Sequence, residues 1–170
     1  MTKKEFLDAI HGQMIISCQA VEGEPLYVEE KSIMYLMARA AKQAGTPAIR
    51  TSSIRDVVAI KEETELPVIG LVKIQYPGYE EYITPTMKEV DDLTAAGADV
   101  VALDCTLRKR GDGTTVNEFI AQIKEKYPDI ILMADISNYE EGINAWKCGV
   151  DIVGTTMSGY TAYTVSGTDE

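Results

Sequence analysis

One histidine, three cysteines and a single tryptophan are all that this 170-residue chain offers of those residue types, and each scarcity excludes something. His11 has no histidine partner anywhere in the chain, which removes a His-rich metal site and a histidine-based triad. Cys18, Cys105 and Cys148 lack the short paired spacing of metal or redox motifs, and Cys18 and Cys105 fall in or beside strand-like runs, where buried free thiols are expected. No run approaches the roughly 20 apolar residues that span a bilayer. Met1-Thr2-Lys3-Lys4-Glu5 leads into only a short apolar stretch with no signal-peptide core, so the cytoplasm is the expected location. Positive charge is scarce too: 16 Lys and Arg stand against 27 Asp and Glu, a formal net charge of -11. That balance argues against nonspecific binding to nucleic acid or anionic membrane. It leaves room for a phosphorylated metabolite, because a few local donors can hold one phosphate against an acidic average.

What is present is a normal globular balance, 45% hydrophobic and 25% charged, and enough chain for one domain with a substantial core. Six runs read as strands: Met14–Gln19, Ala48–Arg50, Val68–Ile74, Val100–Cys105, Ile130–Asp135 and Ile152–Thr156. Near-continuous apolar content marks strands buried on both faces of a parallel sheet. Between them, apolar residues three and four apart predict helices over Ser32–Gln43, Ile54–Glu63, Thr86–Ala96, Thr115–Tyr127 and Glu140–Lys147. The stripe of the first is read as Ile33, Leu36, Met37 and Ala40. Those of Thr86–Ala96 and Thr115–Tyr127 are Met87, Val90, Leu93 and Phe119, Ile120, Ile123. Thr86 with Glu89, and Ser137 or Asn138 before the last helix, are candidate caps.

Gly45, Gly97 and Gly149 each end a helix and feed the next strand, and they recur at a constant interval of 52 residues that holds two strand–helix units. Such a cadence expresses a parallel sheet wrapped in helices. An open doubly wound sheet gives similar local patterns, but no Gly-rich dinucleotide fingerprint follows the first strand, so an α/β TIM (β/α)8 barrel is the expected fold. A closed barrel needs eight strands and about 250 residues, and only six strands are legible. From Tyr160 to Glu170 the chain reads as a loop with no element beyond it. The expectation is therefore a single domain over residues 1–170 that holds an incomplete barrel.

In such a fold the C-terminal ends of the strands carry the chemistry. Here they would gather Gln19, Arg50, Lys73, Asp104, Asp135 and Thr155 or Thr156 around one mouth. Lys73 follows a run of apolar residues and glycine, which predicts partial enclosure and a basicity tuned for proton abstraction; the bland alternative is a strand-capping lysine paired with Asp135. Arg50 suits a bidentate contact to an anion or sugar oxygens, and Gln19 can donate and accept at once. Asp104 either does the same or braces the loop Thr106–Arg110. The basic cluster Arg108-Lys109-Arg110 either attracts an anionic substrate or is a solvated loop. Tyr76, Tyr79 and Tyr82 surround a turn that is either a lid or a well-packed loop. Trp146 reads as packing between helix and barrel.

Several segments together resemble one family: Ser17-Cys18-Gln19-Ala20, Gly23-Glu24-Pro25-Leu26, Val68-Ile69-Gly70 through Lys73, Tyr82-Ile83-Thr84-Pro85-Thr86, Ala102-Leu103-Asp104, Met133-Ala134-Asp135-Ile136-Ser137 and Gly154-Thr155-Thr156-Met157-Ser158-Gly159-Tyr160-Thr161. The chain is similar over nearly its whole length to N-acetylmannosamine-6-phosphate 2-epimerases. The resemblance implies a cytoplasmic TIM barrel of sialic-acid catabolism that interconverts N-acetylmannosamine 6-phosphate and N-acetylglucosamine 6-phosphate without nucleotide or metal cofactor. It implies that Lys73 removes and returns the proton at carbon 2. Asp135 joins it as the second expected catalytic residue, while Gln19, Arg50, Asp104 and Thr155 are expected to hold the substrate. The expected partners are that small phosphorylated amino sugar and a second copy of the chain, with no nucleic acid and no membrane. Two departures stand out. Gly111 lies where the family commonly has proline, and the family continues into a seventh strand with a catalytic glutamate and an eighth strand whose loops grip the phosphate. A non-enzymatic remnant is the alternative on that count. Another phosphosugar barrel enzyme, an aldolase or decarboxylase, is the other alternative, and it predicts a metal-supporting acidic motif or a Schiff-base lysine.

Overall fold

Strand and helix alternate along the whole computed structural model, which describes residues 1–164. In chain order the elements are α1 (Lys3–Ile10), β1 (Ile16–Ser17), α2 (Met34–Gln43), β2 (Ile49–Ser52), α3 (Ile54–Thr64), β3 (Val68–Leu71), α4 (Met87–Ala95), β4 (Val100–Asp104), α5 (Val116–Lys126), β5 (Ile131–Asp135), α6 (Tyr139–Lys147) and β6 (Ile152–Gly154). Every strand and helix read from the apolar pattern is present, each within a few residues of its expected bounds. Residues 160–164 form bends and a turn, and the rest of the loop expected there lies outside the described residues.

The chain divides into two compact units. The first comprises Met1–Lys73 with Lys88–Val101, and the second comprises Ile74–Met87 with the chain from Ala102 onward. Within the first, β1, β2 and β3 are parallel neighbours, Ile16 opposite Ile49 and Ile49 opposite Val68, and β3 pairs with the start of β4 through Ile69 with Val100. Within the second, Cys105 N donates to Asp135 O at 2.9 Å beside the end of β4, and β5 runs parallel to β6 with Met133 opposite Ile152. The strands thus neighbour one another in the order of the sequence, the topology of a (β/α) barrel, with six strands among the described residues where a closed barrel has eight.

The core of the first unit explains why β3 contains a glycine. A Cβ on Gly70 would lie 2.9 Å from Leu93 and 3.1 Å from Val57, so its absence lets α4 and α3 pack directly on the strand. In the second unit Phe119, Ile120 and Ile123 of α5 are buried, as their spacing predicts. Gly45, Gly97 and Gly149 sit at φ 91°, 82° and 83°, the left-handed turn from helix to strand that favours glycine. Cys18 and Cys105 are buried free thiols, and burial pushes the Cys105 thiol well above its ordinary value.

Two packing expectations fail. The buried face of α2 is Met34, Ala38 and Ala41, whereas Leu36 and Met37 are exposed. Both sets have helical spacing, and the small pair Ala38 and Ala41 permits the close approach of α2 to α3 that larger side chains would block. Trp146 is 67% exposed and does not pack inward, because the buried side of α6 is held by Glu141 and Ala145, and one residue along a helix turns the side chain about 100°.

Candidate functional site

In the first unit the residues that end β1, β2 and β3 surround Lys73. The strand β3 stops at Leu71, so Lys73 lies two residues past the strand's end and is exposed, contrary to the enclosure expected from the apolar run before it. It lines a cavity of about 330 Å³ together with Ala20, Tyr27, Ser52, Ser53 and Arg55. Ser53 is held at φ 87° and ψ 144°, a conformation that L side chains rarely adopt. Three bonds impose it: Ser53 N donates to Leu71 O at 2.9 Å, its carbonyl accepts from Val57 N at 3.1 Å, and its Oγ caps α3 by accepting from Asp56 N at 3.3 Å. Arg55 donates from Nη1 to Glu29 O at 2.7 Å and lies 5.3 Å from the centroid of the Tyr27 ring. The sequence reading missed Ser53 and Arg55; a serine at the strand-to-helix junction was the only available signal.

Gln19 donates its amide to Ser17 Oγ, while its Oε1 is buried and has no hydrogen-bond partner among the described residues. A buried acceptor without a donor is costly, so this oxygen is suited to an incoming N–H or O–H. Arg50 is half-buried on β2, where its carbonyl accepts from Cys18 N at 2.8 Å.

In the second unit the ends of β4, β5 and β6 present Asp104, Asp135 and Thr156. Asp104 is buried and braces the loop after β4: Oδ1 accepts from Thr106 N at 3.0 Å and from Thr106 Oγ1 at 2.7 Å, and Oδ2 accepts from Arg108 Nη2 at 2.6 Å. Asp135 is fully buried and accepts from Thr156 Oγ1 at 2.6 Å. Thr156, rather than Thr155, is therefore the threonine brought to Asp135. Thr155 is exposed and lines a separate cavity of about 570 Å³ with Ile143, Trp146 and Val153.

Two of the three residues of the basic cluster are committed within the fold, and Lys109 is exposed. Arg108 is spent on Asp104, and Arg110 is 1% exposed, donating to Pro85 O with its guanidinium 4.0 Å from the centroid of the Phe119 ring. Cation–π contact and burial are available to a guanidinium because its charge is diffuse and weakly hydrated. Gly111 explains itself in the same place: a Cβ there would meet Tyr79 Cδ2 at 2.3 Å, so the tyrosine loop seats its ring on the glycine. The effect is packing.

Two carboxylates went unread. Glu141, in the first turn of α6, accepts from Ser137 N and Oγ, each at 2.7 Å, from Leu107 N at 3.2 Å and from Tyr163. Burial alone would raise its pKa, but the hydrogen bonds from Tyr163 and Ser137 outweigh it and hold the carboxyl below its ordinary value. Glu81 is 1% exposed, and neither carboxylate oxygen has a hydrogen-bond partner among the described residues. Burial pushes it up, with Arg110 opposing.

Residues 34–170 match the family model described as "NanE: Putative N-acetylmannosamine-6-phosphate epimerase". A protein of the corresponding 2-epimerase name from Caldanaerobacter subterraneus subsp. tengcongensis is 53% identical over 159 residues, 94% of this chain and 66% of that protein. Its counterpart from Enterobacter sp. strain 638 is 48% identical over 95% of this chain and 68% of its own length. The chain belongs to the N-acetylmannosamine-6-phosphate 2-epimerase family. It spans about two thirds of the length of the curated relatives it matches. The solved N-acetylmannosamine-6-phosphate 2-epimerase from Clostridium perfringens superposes with a TM-score of 0.85 at 49% identity, over 93% of this chain and 67% of that one. A Schiff-base-forming fructose-1,6-bisphosphate aldolase, at 17% identity and a TM-score of 0.54, shares the fold alone. No helix among the described residues is long and apolar enough to cross a membrane.

Proposed function

We propose that this family member acts on N-acetylmannosamine 6-phosphate, interconverting it with N-acetylglucosamine 6-phosphate through removal and return of the proton at carbon 2. The observation that carries the proposal is Lys73, which lines a sugar-sized cavity at the end of β3 in a chain about half identical to 2-epimerases over nearly all of its length. A carbon acid beside an acetamido group is weak, so the base must be aligned and the developing negative charge must meet fixed donors. Lys73 is assigned as that base: the carbon–hydrogen bond breaks toward Nζ, the electron pair delocalises into the substrate, and return of that proton from Nζ to the opposite face of carbon 2 gives the epimer. Arg50 and the open acceptor of Gln19 are assigned to the sugar oxygens and the acetamido N–H. In the second unit Asp135, held by Thr156, is assigned as the other catalytic candidate, and Asp104 fixes its own loop through Arg108. A second copy of the chain as partner and a cytoplasmic site of action belong to the same reading.

Exchange of the carbon-2 proton into deuterated solvent tests the base directly, because exchange needs only the abstraction half of the reaction. Replacing Lys73 by alanine should slow that exchange by about 100-fold or more, the usual contribution of a positioned general base. Exchange that survives Lys73→Ala unchanged removes the assignment.

A further inference from the structure

The loop between β1 and α2 forms one wall of the Lys73 cavity, to which it contributes Ala20, Val21, Glu22 and Tyr27. From Glu22 to Lys31 every residue except Tyr27 is exposed, Leu26 and Val28 included, so burial does little to fix this segment. Its backbone folds on itself instead. Glu24 N donates to Val21 O and Tyr27 N to Glu24 O, each at 3.0 Å, and Val21 N donates to Glu24 Oε2 at 2.9 Å. Those bonds shape the loop without attaching it. Among the described residues, the one hydrogen bond that reaches residues 20–31 from outside the loop comes from Arg55, whose Nη1 donates to Glu29 O at 2.7 Å.

Arg55 lines the same cavity from the first turn of α3. Its guanidinium lies 5.3 Å from the centroid of the Tyr27 ring, and its Nε is 3.8 Å from Oδ1 of the buried Asp56. The carboxylate steadies the guanidinium from its own helix, while the Glu29 carbonyl and the Tyr27 ring take it on the loop side. Arginine suits this double contact, because a planar guanidinium rests over an aromatic face while its edge donates to an oxygen. Lys73, Tyr27, Glu29 and Arg55 all belong to the first unit.

We propose that Arg55 is a positioning residue, clasping Tyr27 and the loop that carries it as a wall of the cavity in which Lys73 meets the amino sugar. It acts through the loop and not by touching the substrate. The proposal rests on the epimerase reading above and adds to it what shapes the cavity. Without the clasp the substrate must order that wall as it binds, so the loss falls on KM rather than on kcat.

Amide exchange and steady-state kinetics with N-acetylmannosamine 6-phosphate test this together, on the full chain and on variants checked for an unchanged melting transition. Arg55→Ala should speed exchange of the Glu24 and Tyr27 amides about tenfold, the worth of one hydrogen bond from a charged donor, while the amides of α5 keep their rates. KM should rise about fivefold in the same variant, with kcat lowered less than about twofold. Arg55→Lys keeps a donor for Glu29 O but loses the plane over Tyr27, and it should fall between Arg55→Ala and the unaltered chain in both readouts. Tyr27→Leu should also raise KM, and combining it with Arg55→Ala should raise KM no further than the more impaired single variant, because both act through one wall. Unchanged exchange in Arg55→Ala overturns the proposal, and a raised KM beside it makes Arg55 a direct substrate contact. Faster exchange with an unchanged KM overturns it too, since the order of the loop would then not bear on the substrate. Increases in KM that multiply in the double variant overturn it as well. Absence of both binding and turnover in the unaltered chain defeats the epimerase reading alone, and the exchange rates still decide whether Arg55 clasps the loop.

Discussion

Ser53 carries backbone strain at a position where glycine would be at ease. Its φ of 87° persists because Leu71 O, Val57 N and Asp56 N all bind it in that conformation. Replacement by glycine costs only a few tenths of a kcal/mol as a helix cap and relieves strain of order 1 kcal/mol or more. Ser53→Gly should therefore raise stability by about 1 kcal/mol, read as a higher urea midpoint at constant slope. A lower midpoint would show that the hydroxyl contributes more than the cap bond. At this scale the catalytic candidates divide cleanly in legibility. Lys73 and Asp135 were visible as charges ending apolar runs. The contacts of Ser53, Gly111 and Tyr82 were not, because the Ser53–Leu71 bond, the ring seated on Gly111 and the Tyr82 hydroxyl on sulfur join residues 18 to 75 positions apart in sequence.

At the scale of elements, local chemistry and tertiary packing each decide different things. Helix α5 starts where a Thr115–Glu118 capping box satisfies two backbone donors reciprocally, and α6 starts where Asn138 accepts from Glu141 N at 3.0 Å. Such starts are legible because the bonds span three residues. Thr115→Ala should lower stability by about 1 kcal/mol and speed amide exchange at the first turn of α5, leaving the other helices unaffected. An unchanged exchange pattern would mean that packing of Phe119 and Ile120 alone sets the boundary. Helix α2 shows the limit of pattern reading. Two stripes of equal periodicity compete on it, and contact with α3 selects the one with small residues.

At the scale of the whole molecule, a net charge of -11 sets a background of self-repulsion that weakens as pH falls. Two buried carboxyls ride on it with opposite signs. The Glu141 carboxyl is held below its ordinary value, so its contribution is present above that ordinary value and is lost as pH falls through the lowered one. The Glu81 carboxyl is raised, so its folded state is favoured while protonated. That contribution is complete below the ordinary carboxylate range, and it is lost as pH rises through the raised value. Glu81→Gln removes this titration. The variant should melt higher than the unaltered chain at pH 7, with the gap closing toward pH 4.5, as followed by thermal melts across that range. A gap independent of pH would assign the effect to packing.

Apolar runs, helical spacing and glycines 52 residues apart determined the alternation of strand and helix, because those signals are local and repeat. The charged residues at or just past the strand ends were legible in the same way, and the family was legible as a resemblance of whole segments. Only the tertiary structure decided which side chains are spent and which are open. It buried Arg110 against Phe119, engaged both oxygens of Asp104, and left Gln19 Oε1 without a partner among the described residues. Hydrogen bonds and ring contacts depend on distances across the fold, and periodicity along the chain holds no record of those distances.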